Sequence, residues 1–143
     1  MTTTSVILDT GPLIAILSET DNYHYWSIQQ LADLKGPLIT CEAIITEASF
    51  LLKKRTTQEP AILLEMGHKG VIEVAFHLNN DEAKNIEQLT IKYTNVPMSF
   101  ADACLVRMAE QYLNSTILTL DSDFRVYRKN GNQIIPVIMP DMG

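Results

Sequence analysis

Four carboxylates in this sequence stand beside apolar stretches that we expect to be buried: Asp9, Glu47, Asp102 and Asp121. Carboxylates that meet in a partly buried place repel one another, and divalent cations relieve that repulsion. Oxygen-only ligation suits Mg²⁺ or Mn²⁺, and two such ions can activate water and stabilise the leaving oxygen in phosphodiester cleavage. The chemistry therefore depends on whether the fold brings the four side chains together.

Asp9 and Asp121 each follow a predicted strand, at residues 5–8 and 116–120 respectively. Parallel strands present their carboxyl ends at one edge of a sheet, where ligands bind in open α/β folds. The two acids are therefore expected to be neighbours. An equally good role for Asp9 alone is to cap the helix that begins at Pro12.

The residues around Asp121 divide into two predicted roles. Thr119 lies two residues before Asp121 and points the same way if the strand continues. Asp123 is the better candidate for capping the following helix. Turn chemistry alone is the alternative explanation for both acids.

Glu47 and Asp102 lie in predicted helices. Glu47 has Ile44 and Leu51 at helical spacing, which places it on the apolar face rather than opposite to it. Asp102 stands within "SFADACLVRMAE", and a carboxylate buried there needs a partner. The alternative is that Asp102 meets only backbone N–H groups, but we favour a functional role.

The predicted elements alternate along the chain. Strands are expected at residues 5–8, 38–40, 71–76, 116–120 and 134–139, and helices at 12–18, 21–34, 42–55, 60–67, 81–93 and 99–113. Such alternation predicts an α/β fold with a mostly parallel sheet of about five strands, covered by helices on both faces. Asp21 is the predicted cap of the second helix, and Pro136 places the last strand at an edge.

Composition indicates one globular domain over residues 1–143. Hydrophobic residues make up 46% of the chain, the formal net charge is −6, and no repeat, targeting segment or membrane span is apparent. The acidic balance argues against purely electrostatic binding to nucleic acid. Cys41 and Cys104 have no partners at zinc spacing and are expected to be reduced, buried thiols of a cytoplasmic protein.

Two enzyme classes are disfavoured. Asp9-Thr10-Gly11 matches the tripeptide of aspartic proteases, but those need an all-β chain with the tripeptide in a loop. Here the tripeptide ends a strand and opens a helix. Phosphatases that begin with Asp-x-Asp on the first strand are also disfavoured, because Gly11 stands where the second acid should be.

The stretches "VILDTGPLIAIL", "LITCEAIITEASFLL" and "VPMSFADACLVRMAEQYLNSTILTLDSDF", in that order, resemble a PIN-domain nuclease of the VapC-like toxin type. The resemblance implies a three-layer α/β/α domain and a ribonuclease dependent on Mg²⁺ or Mn²⁺. It also implies a homodimer restrained by a small antitoxin protein. It carries catalysis and metal binding onto Asp9, Glu47, Asp102 and Asp121, with Asp123 as an additional candidate ligand and Thr10 as a support.

One position departs from the pattern of that family. Relatives with the "PMxxADA" motif often have an acid where this chain has Ser99, one helical turn before Asp102. The Ser99 hydroxyl therefore either supports the metal site, directly or through water, or only caps the helix. Whether one or two metals bind is left open.

RNA must still approach an acidic protein. The candidate phosphate contacts are Lys53, Lys54, Arg55, Arg125, Arg128 and Lys129, although solvated helix ends explain each of them about as well. The alternative function, from a different class, is a catalytically silent PIN-like module that binds nucleic acid or protein.

Overall fold

Five parallel strands form the central sheet of the computed structural model, which describes residues 4–55 and 61–141. In chain order, the strands of the described residues are β1 (Ser5–Leu8), β2 (Leu38–Thr40), β3 (Ile72–Val74), β4 (Ser115–Leu118), β5 (Arg128–Lys129), β6 (Gln133–Ile134) and β7 (Val137–Ile138). The sheet has the order β3-β2-β1-β4-β7, while β5 and β6 form a separate antiparallel pair. The predicted parallel sheet is confirmed.

Helices connect and cover these strands. They are α1 (Thr10–Leu17), α2 (His24–Asp33), α3 (Glu42–Arg55), α4 (Ala61–His68), α5 (Asn80–Lys92) and α6 (Phe100–Gln111). Val6, Ile7 and Leu8 of β1 are all buried. Since successive strand residues point to opposite faces, both faces of the sheet are covered, as in a three-layer α/β/α domain. Within the ranges described, no helix is long and apolar enough to cross a membrane.

The turn from β1 into α1 packs tightly against the segment that follows β4. β1 pairs with β4 in register from Ser5 opposite Ser115 to Leu8 opposite Leu118. Gly11 lies in the first turn of α1, and a Cβ atom there would stand 3.2 Å from the Leu120 side chain. A larger residue would require the Leu120 side chain to shift, so Gly11 permits the close approach of the two segments.

The second helix begins later than the sequence predicts. It starts at His24, and Tyr23 occupies the N-cap position without a side-chain cap bond. Asp21 is therefore not the helix cap. Its carboxylate accepts the backbone N–H of Tyr23 at 2.9 Å and pairs with Arg55 at 2.8 Å. A charged partner from α3 holds the side chain away from the capping position.

The end of the chain folds as two short strands rather than the single strand predicted for residues 134–139. Pro136 separates Ile134, which pairs with β5, from β7, which pairs with β4. The proline carbonyl accepts the N–H of Ile117 at 3.0 Å. The predicted edge position is confirmed, because β7 is the outermost strand on that side.

Other boundaries also differ from the expectation, among them the end of β4 at Leu118 instead of residue 120. β3 is limited to Ile72–Val74, within the predicted range 71–76. Pro60, the predicted start of the fourth helix, lies outside the described residues, and α4 is observed from Ala61 to His68.

A largely buried ion pair joins α5 to α6. Arg107 donates to both carboxylate oxygens of Glu82 at 2.7 Å, and its third contact is Glu110 at 2.8 Å. Side-chain amides of Asn85 and Gln111 also donate to Glu82. A bidentate pair of this kind fixes orientation as well as distance, so α5 holds α6 in place.

Glu82→Ala should lower the free energy of unfolding by about 2 kcal/mol, because it leaves the Arg107 guanidinium poorly compensated away from water. Urea unfolding followed by circular dichroism measures the change. Glu65→Ala is the matched control, since it removes an exposed ion pair with Lys69 and should have little effect. Equal losses in both variants would contradict the anchoring role of the α5–α6 pair.

Candidate functional site

A pocket of about 710 Å³ opens at the carboxyl end of the sheet, beside the ends of β1 and β4. The acids that line it are Asp9, Asp21, Glu47, Asp102 and Asp121. All four predicted carboxylates are therefore brought to one place. Asp21 is a fifth acid, which was predicted to cap the second helix. Nothing in the local sequence distinguishes a helix cap from a residue of the pocket wall.

Asp9 is the most buried of these acids, with 7% of its surface exposed. The Thr119 hydroxyl donates to its Oδ2 atom at 2.6 Å, and the backbone N–H of Thr10 donates to Oδ1 at 2.7 Å. Asp9 is thus also the N-cap of α1, which confirms the capping role predicted for it. Its carboxylate is held by the strand beside it and by the helix after it.

Asp121 is positioned by the same threonine. Its backbone N–H donates to the Thr119 hydroxyl oxygen at 2.9 Å. Its side chain accepts the N–H of Asp123 at 2.9 Å and caps the 3₁₀ helix Ser122–Arg125. The prediction that Asp123 is the cap is therefore wrong. Asp123 is itself in that helix and does not line the pocket.

Asp102 is held from two sides at the start of α6. Ser99 and Asp102 form a reciprocal capping box, in which each side chain accepts the backbone N–H of the other. The buried Tyr127 hydroxyl donates to Asp102 Oδ2 at 3.1 Å. Ser99 caps the helix and does not line the pocket. Tyr127 was missed because no sequence spacing relates it to Asp102.

Glu47 reaches the pocket from α3 but is exposed to solvent. Glu47 was expected on the apolar face of its helix. This expectation is wrong, because Ile44 and Ala48 form the buried face of α3 and Glu47 lies outside it. Glu47 stands at the border between the buried side of α3 and the opening of the pocket. This position suits a ligand or substrate that enters from solvent.

Arg55, one of the candidate phosphate contacts, lies in the pocket wall. It pairs with Asp21 at 2.8 Å and keeps 52% of its side chain exposed, whereas Asp21 keeps 12%. The remaining basic candidates, Lys53, Lys54, Arg125, Arg128 and Lys129, do not line the pocket.

Two of these other basic residues have local partners. Lys54 lies over the Phe50 ring at 4.4 Å, and Arg128 donates to the carbonyl oxygens of Arg125, Val126 and Tyr127. Neither contact brings charge to the acids.

Burial and mutual repulsion raise the pKa values of two of the carboxylates. Burial raises the pKa of Asp9 from its ordinary value of 3.8 to about 6, against the lowering effect of its hydrogen bonds. Asp102 and Asp121 raise it further. Burial is also the main cause of the raised pKa of Asp102, and Asp121 adds to it. The site therefore concentrates negative charge that the Arg55–Asp21 pair does not neutralise.

The carboxylate and hydroxyl oxygens of this pocket suit Mg²⁺ or Mn²⁺ with bound water better than a metal ion ligated entirely by protein. Among residues 4–55 and 61–141, no three His, Cys, Asp or Glu side chains are grouped closely enough to hold an ion by themselves. Mg²⁺ commonly retains several waters and binds through one or two carboxylates together with substrate phosphates. The buried hydroxyl of Thr10, which also lines the pocket, has no hydrogen-bond partner among the described residues and is available to a bound water.

Most of the chain is similar to known proteins. The PIN domain family model matches residues 6–130. Ribonuclease VapC26 of Mycobacterium tuberculosis (strain ATCC 25618 / H37Rv) is 29% identical over 121 residues, covering 81% of this chain and 86% of the relative.

A solved structure is similar over a comparable range. The crystal structure of Mycobacterium tuberculosis VapC20, described as a Sarcin-Ricin loop cleaving toxin, matches with a TM-score of 0.75 and 20% identity. The match covers 85% of this chain and 94% of that one, and it establishes the shared fold.

The raised pKa of Asp9 predicts that the metal-free protein loses stability as pH rises. Between 3.8 and about 6 the native state binds more protons than the unfolded chain, so the free energy of unfolding falls across that window. The full difference is about 3 kcal/mol for a shift of this size. Asp9→Asn cannot titrate and should flatten the profile.

Urea unfolding in EDTA at a series of pH values, parent against Asp9→Asn, measures this difference. Mg²⁺ added above the window should raise the stability of the parent, because it binds only the native site. Parallel profiles for the two proteins would show that Asp9 has no raised pKa.

Proposed function

This chain belongs to the PIN domain family, and we propose that it is an endoribonuclease that depends on Mg²⁺ or Mn²⁺. The observation that carries the proposal is the pocket at the carboxyl end of the sheet, in which Asp9, Glu47, Asp102 and Asp121 converge. The name of the relative VapC26 describes it as a ribonuclease, which supports RNA as the substrate.

The residues proposed to hold the metal are the same four carboxylates. When bound, the ion supplies a Lewis acid for the phosphate oxygens and lowers the pKa of a water molecule that attacks phosphorus. Thr119 holds the Asp9 carboxylate and the Asp121 backbone in a fixed relation. Ser99 and Tyr127 restrict Asp102. These contacts orient the charged oxygens before substrate arrives, which avoids reorganisation during the reaction.

Arg55 is the proposed contact for the RNA phosphate nearest to the acids. It lines the pocket, and its exposed guanidinium can exchange Asp21 for a phosphate, which accepts hydrogen bonds from a guanidinium as a carboxylate does. Lys53 and Lys54 precede it on α3 and extend the positive charge along that helix. The proposed outer contacts for RNA phosphate, which lie outside the pocket, are Arg125, Arg128 and Lys129.

The wider assignment is the toxin of a toxin–antitoxin pair, acting as a homodimer in the cytoplasm. VapC20 is described as a toxin, which supports this role. Large apolar side chains that are exposed on α3 and α4, among them Phe50 and Leu64, support a partner that covers them. Size-exclusion chromatography with light scattering tests the dimer, and co-expression with the product of an adjacent small reading frame tests the antitoxin.

Purified protein should cleave RNA in the presence of Mg²⁺ or Mn²⁺ and should stop when EDTA is added. Asp9→Asn and Asp102→Asn should each reduce cleavage by at least about a hundredfold, because the metal loses a charged ligand. A labelled RNA panel that includes a sarcin–ricin stem-loop, resolved on denaturing gels, provides the measurement. Asp123→Asn is the matched control, since Asp123 does not line the pocket, and it should keep most activity.

Three outcomes separate the alternatives. Cleavage at full rate in Asp9→Asn would defeat the metal-site assignment. RNA binding without cleavage in the parent would favour a catalytically silent module. Growth arrest on expression of the parent, absent with Asp9→Asn, would support a toxin.

Tyr127 should act as a positioning residue for Asp102. Tyr127→Phe removes the hydroxyl that restrains the carboxylate and should lower kcat about tenfold, equivalent to about 1.4 kcal/mol, with little change in KM. Tyr93→Phe is a close control, because that hydroxyl contacts the backbone N–H of Arg128 and the two rings pack 5.1 Å apart. Equal effects of the two variants would indicate a loss of packing instead of positioning.

A further inference from the structure

The guanidinium of the acidic pocket is already engaged by a carboxylate. Among the described residues that line the pocket, Arg55 carries the positive charge, and its Nη1 atom donates to Asp21 Oδ2 at 2.8 Å. Arg55 is the last residue of α3, and 52% of its side chain is exposed, against 12% for Asp21. The guanidinium is therefore the member of the pair that a ligand in solvent can reach.

Asp21 is held at the pocket wall by contacts that do not involve Arg55. Its second carboxylate oxygen, Oδ1, accepts the backbone N–H of Tyr23 at 2.9 Å. The backbone N–H of Asp21 donates to the carbonyl oxygen of Ser18 at 3.1 Å, and the carbonyl oxygen of Asp21 accepts the N–H of His24 at 3.0 Å. These bonds fix Asp21 between the end of α1 and the start of α2. Its carboxylate therefore keeps its place when Arg55 moves away.

A phosphate that enters this pocket meets more negative charge than positive charge. The five acids named above line the wall, and Arg55 is the cation that faces them among the described residues. Without a bound metal ion, attraction of the phosphate depends on Arg55, because the carboxylates repel it. A carboxylate and a phosphate accept hydrogen bonds from a guanidinium in the same way. Binding of a phosphate to Arg55 therefore competes with the contact to Asp21.

We propose that Asp21 is a specificity-determining residue, which competes with RNA phosphate for Arg55; the identity of the ligand as RNA rests on the proposed function. Every phosphate must meet the same cost of displacing the carboxylate. That cost excludes weak ligands first. A free phosphate ion gains Arg55 alone, whereas an RNA strand has further phosphates that contact other parts of the surface. Asp21 thus keeps the pocket from being filled by small anions.

Asp21→Asn should lower the Kd for RNA about tenfold, because it removes the competing charge. The asparagine oxygen can still accept the N–H of Tyr23, so the loop keeps its anchor. Fluorescence anisotropy with a labelled single-stranded RNA, in EDTA to keep the strand intact, measures the Kd. Glu19→Gln is the matched control. It removes one negative charge from an exposed residue of the same loop that does not line the pocket, and it should change the Kd less than about twofold.

A double-mutant cycle tests whether Asp21 acts through Arg55. Arg55→Gln should raise the Kd for RNA, and adding Asp21→Asn to it should then have little effect. A tenfold gain that persists without Arg55 would overturn the proposal, since it would reflect general relief of repulsion. Weaker RNA binding by Asp21→Asn alone would also overturn it, because Asp21 would then position Arg55 for the ligand. Circular dichroism establishes that each variant is folded, and Asp21→Ser, whose hydroxyl also accepts a nearby backbone N–H, replaces an asparagine variant that is not.

Inorganic phosphate separates this proposal from the nuclease assignment. Thermal unfolding midpoints are measured in EDTA, with phosphate or chloride at equal ionic strength. Phosphate should raise the midpoint of Asp21→Asn relative to the parent and to the Asp21→Asn/Arg55→Gln double variant. This pattern in a protein that neither binds nor cleaves RNA would refute the nuclease and support competition for phosphate. A parent that cleaves RNA, with no difference between parent and Asp21→Asn in either binding assay, would overturn the competition alone.

Discussion

Burial of the Asp9 carboxylate at the end of β1 is the constraint on which the rest of the site depends. A carboxylate removed from water loses its hydration, and its charged form is then disfavoured. The protein supplies two short hydrogen bonds, from Thr119 and from the N–H of Thr10, yet the pKa of Asp9 still rises to about 6. Local hydrogen bonds therefore offset only part of the penalty, and a cation bound in the pocket would offset more of it.

The acids come from separate elements, and each element is anchored by contacts outside the pocket. The ends of β1 and β4 are held together by their register and by the close approach of Gly11 to Leu120. The start of α6 is fixed by its capping box and by Tyr127, and its outer side is fixed by the Glu82–Arg107 pair. Repulsion among the carboxylates is thus opposed by packing.

Arg55 changes the electrostatic picture of an acidic protein that is proposed to bind RNA. The net charge of −6 disfavours non-specific attraction, so contact with phosphate must come from a few placed cations. Arg55 is placed beside the acids, and Asp21 holds it there. A phosphate that displaces Asp21 gains the guanidinium donors.

The sequence by itself determined the elements whose signals are local. The β-branched runs at β1 and β4, Pro12 near the start of α1 and the apolar periodicity of α3 and α6 were sufficient to predict the parallel sheet and the meeting of Asp9 with Asp121. Only the tertiary structure decided which residue caps a helix and which partner a side chain takes. Asp21 and Asp123 each had cap-like sequence contexts, but Arg55 draws Asp21 away and Asp121 takes the cap before Asp123. Tyr127, the partner of Asp102, comes from a distant segment. Local spacing predicts helices and strands because backbone geometry repeats over a few residues, whereas these pairings depend on how whole elements pack.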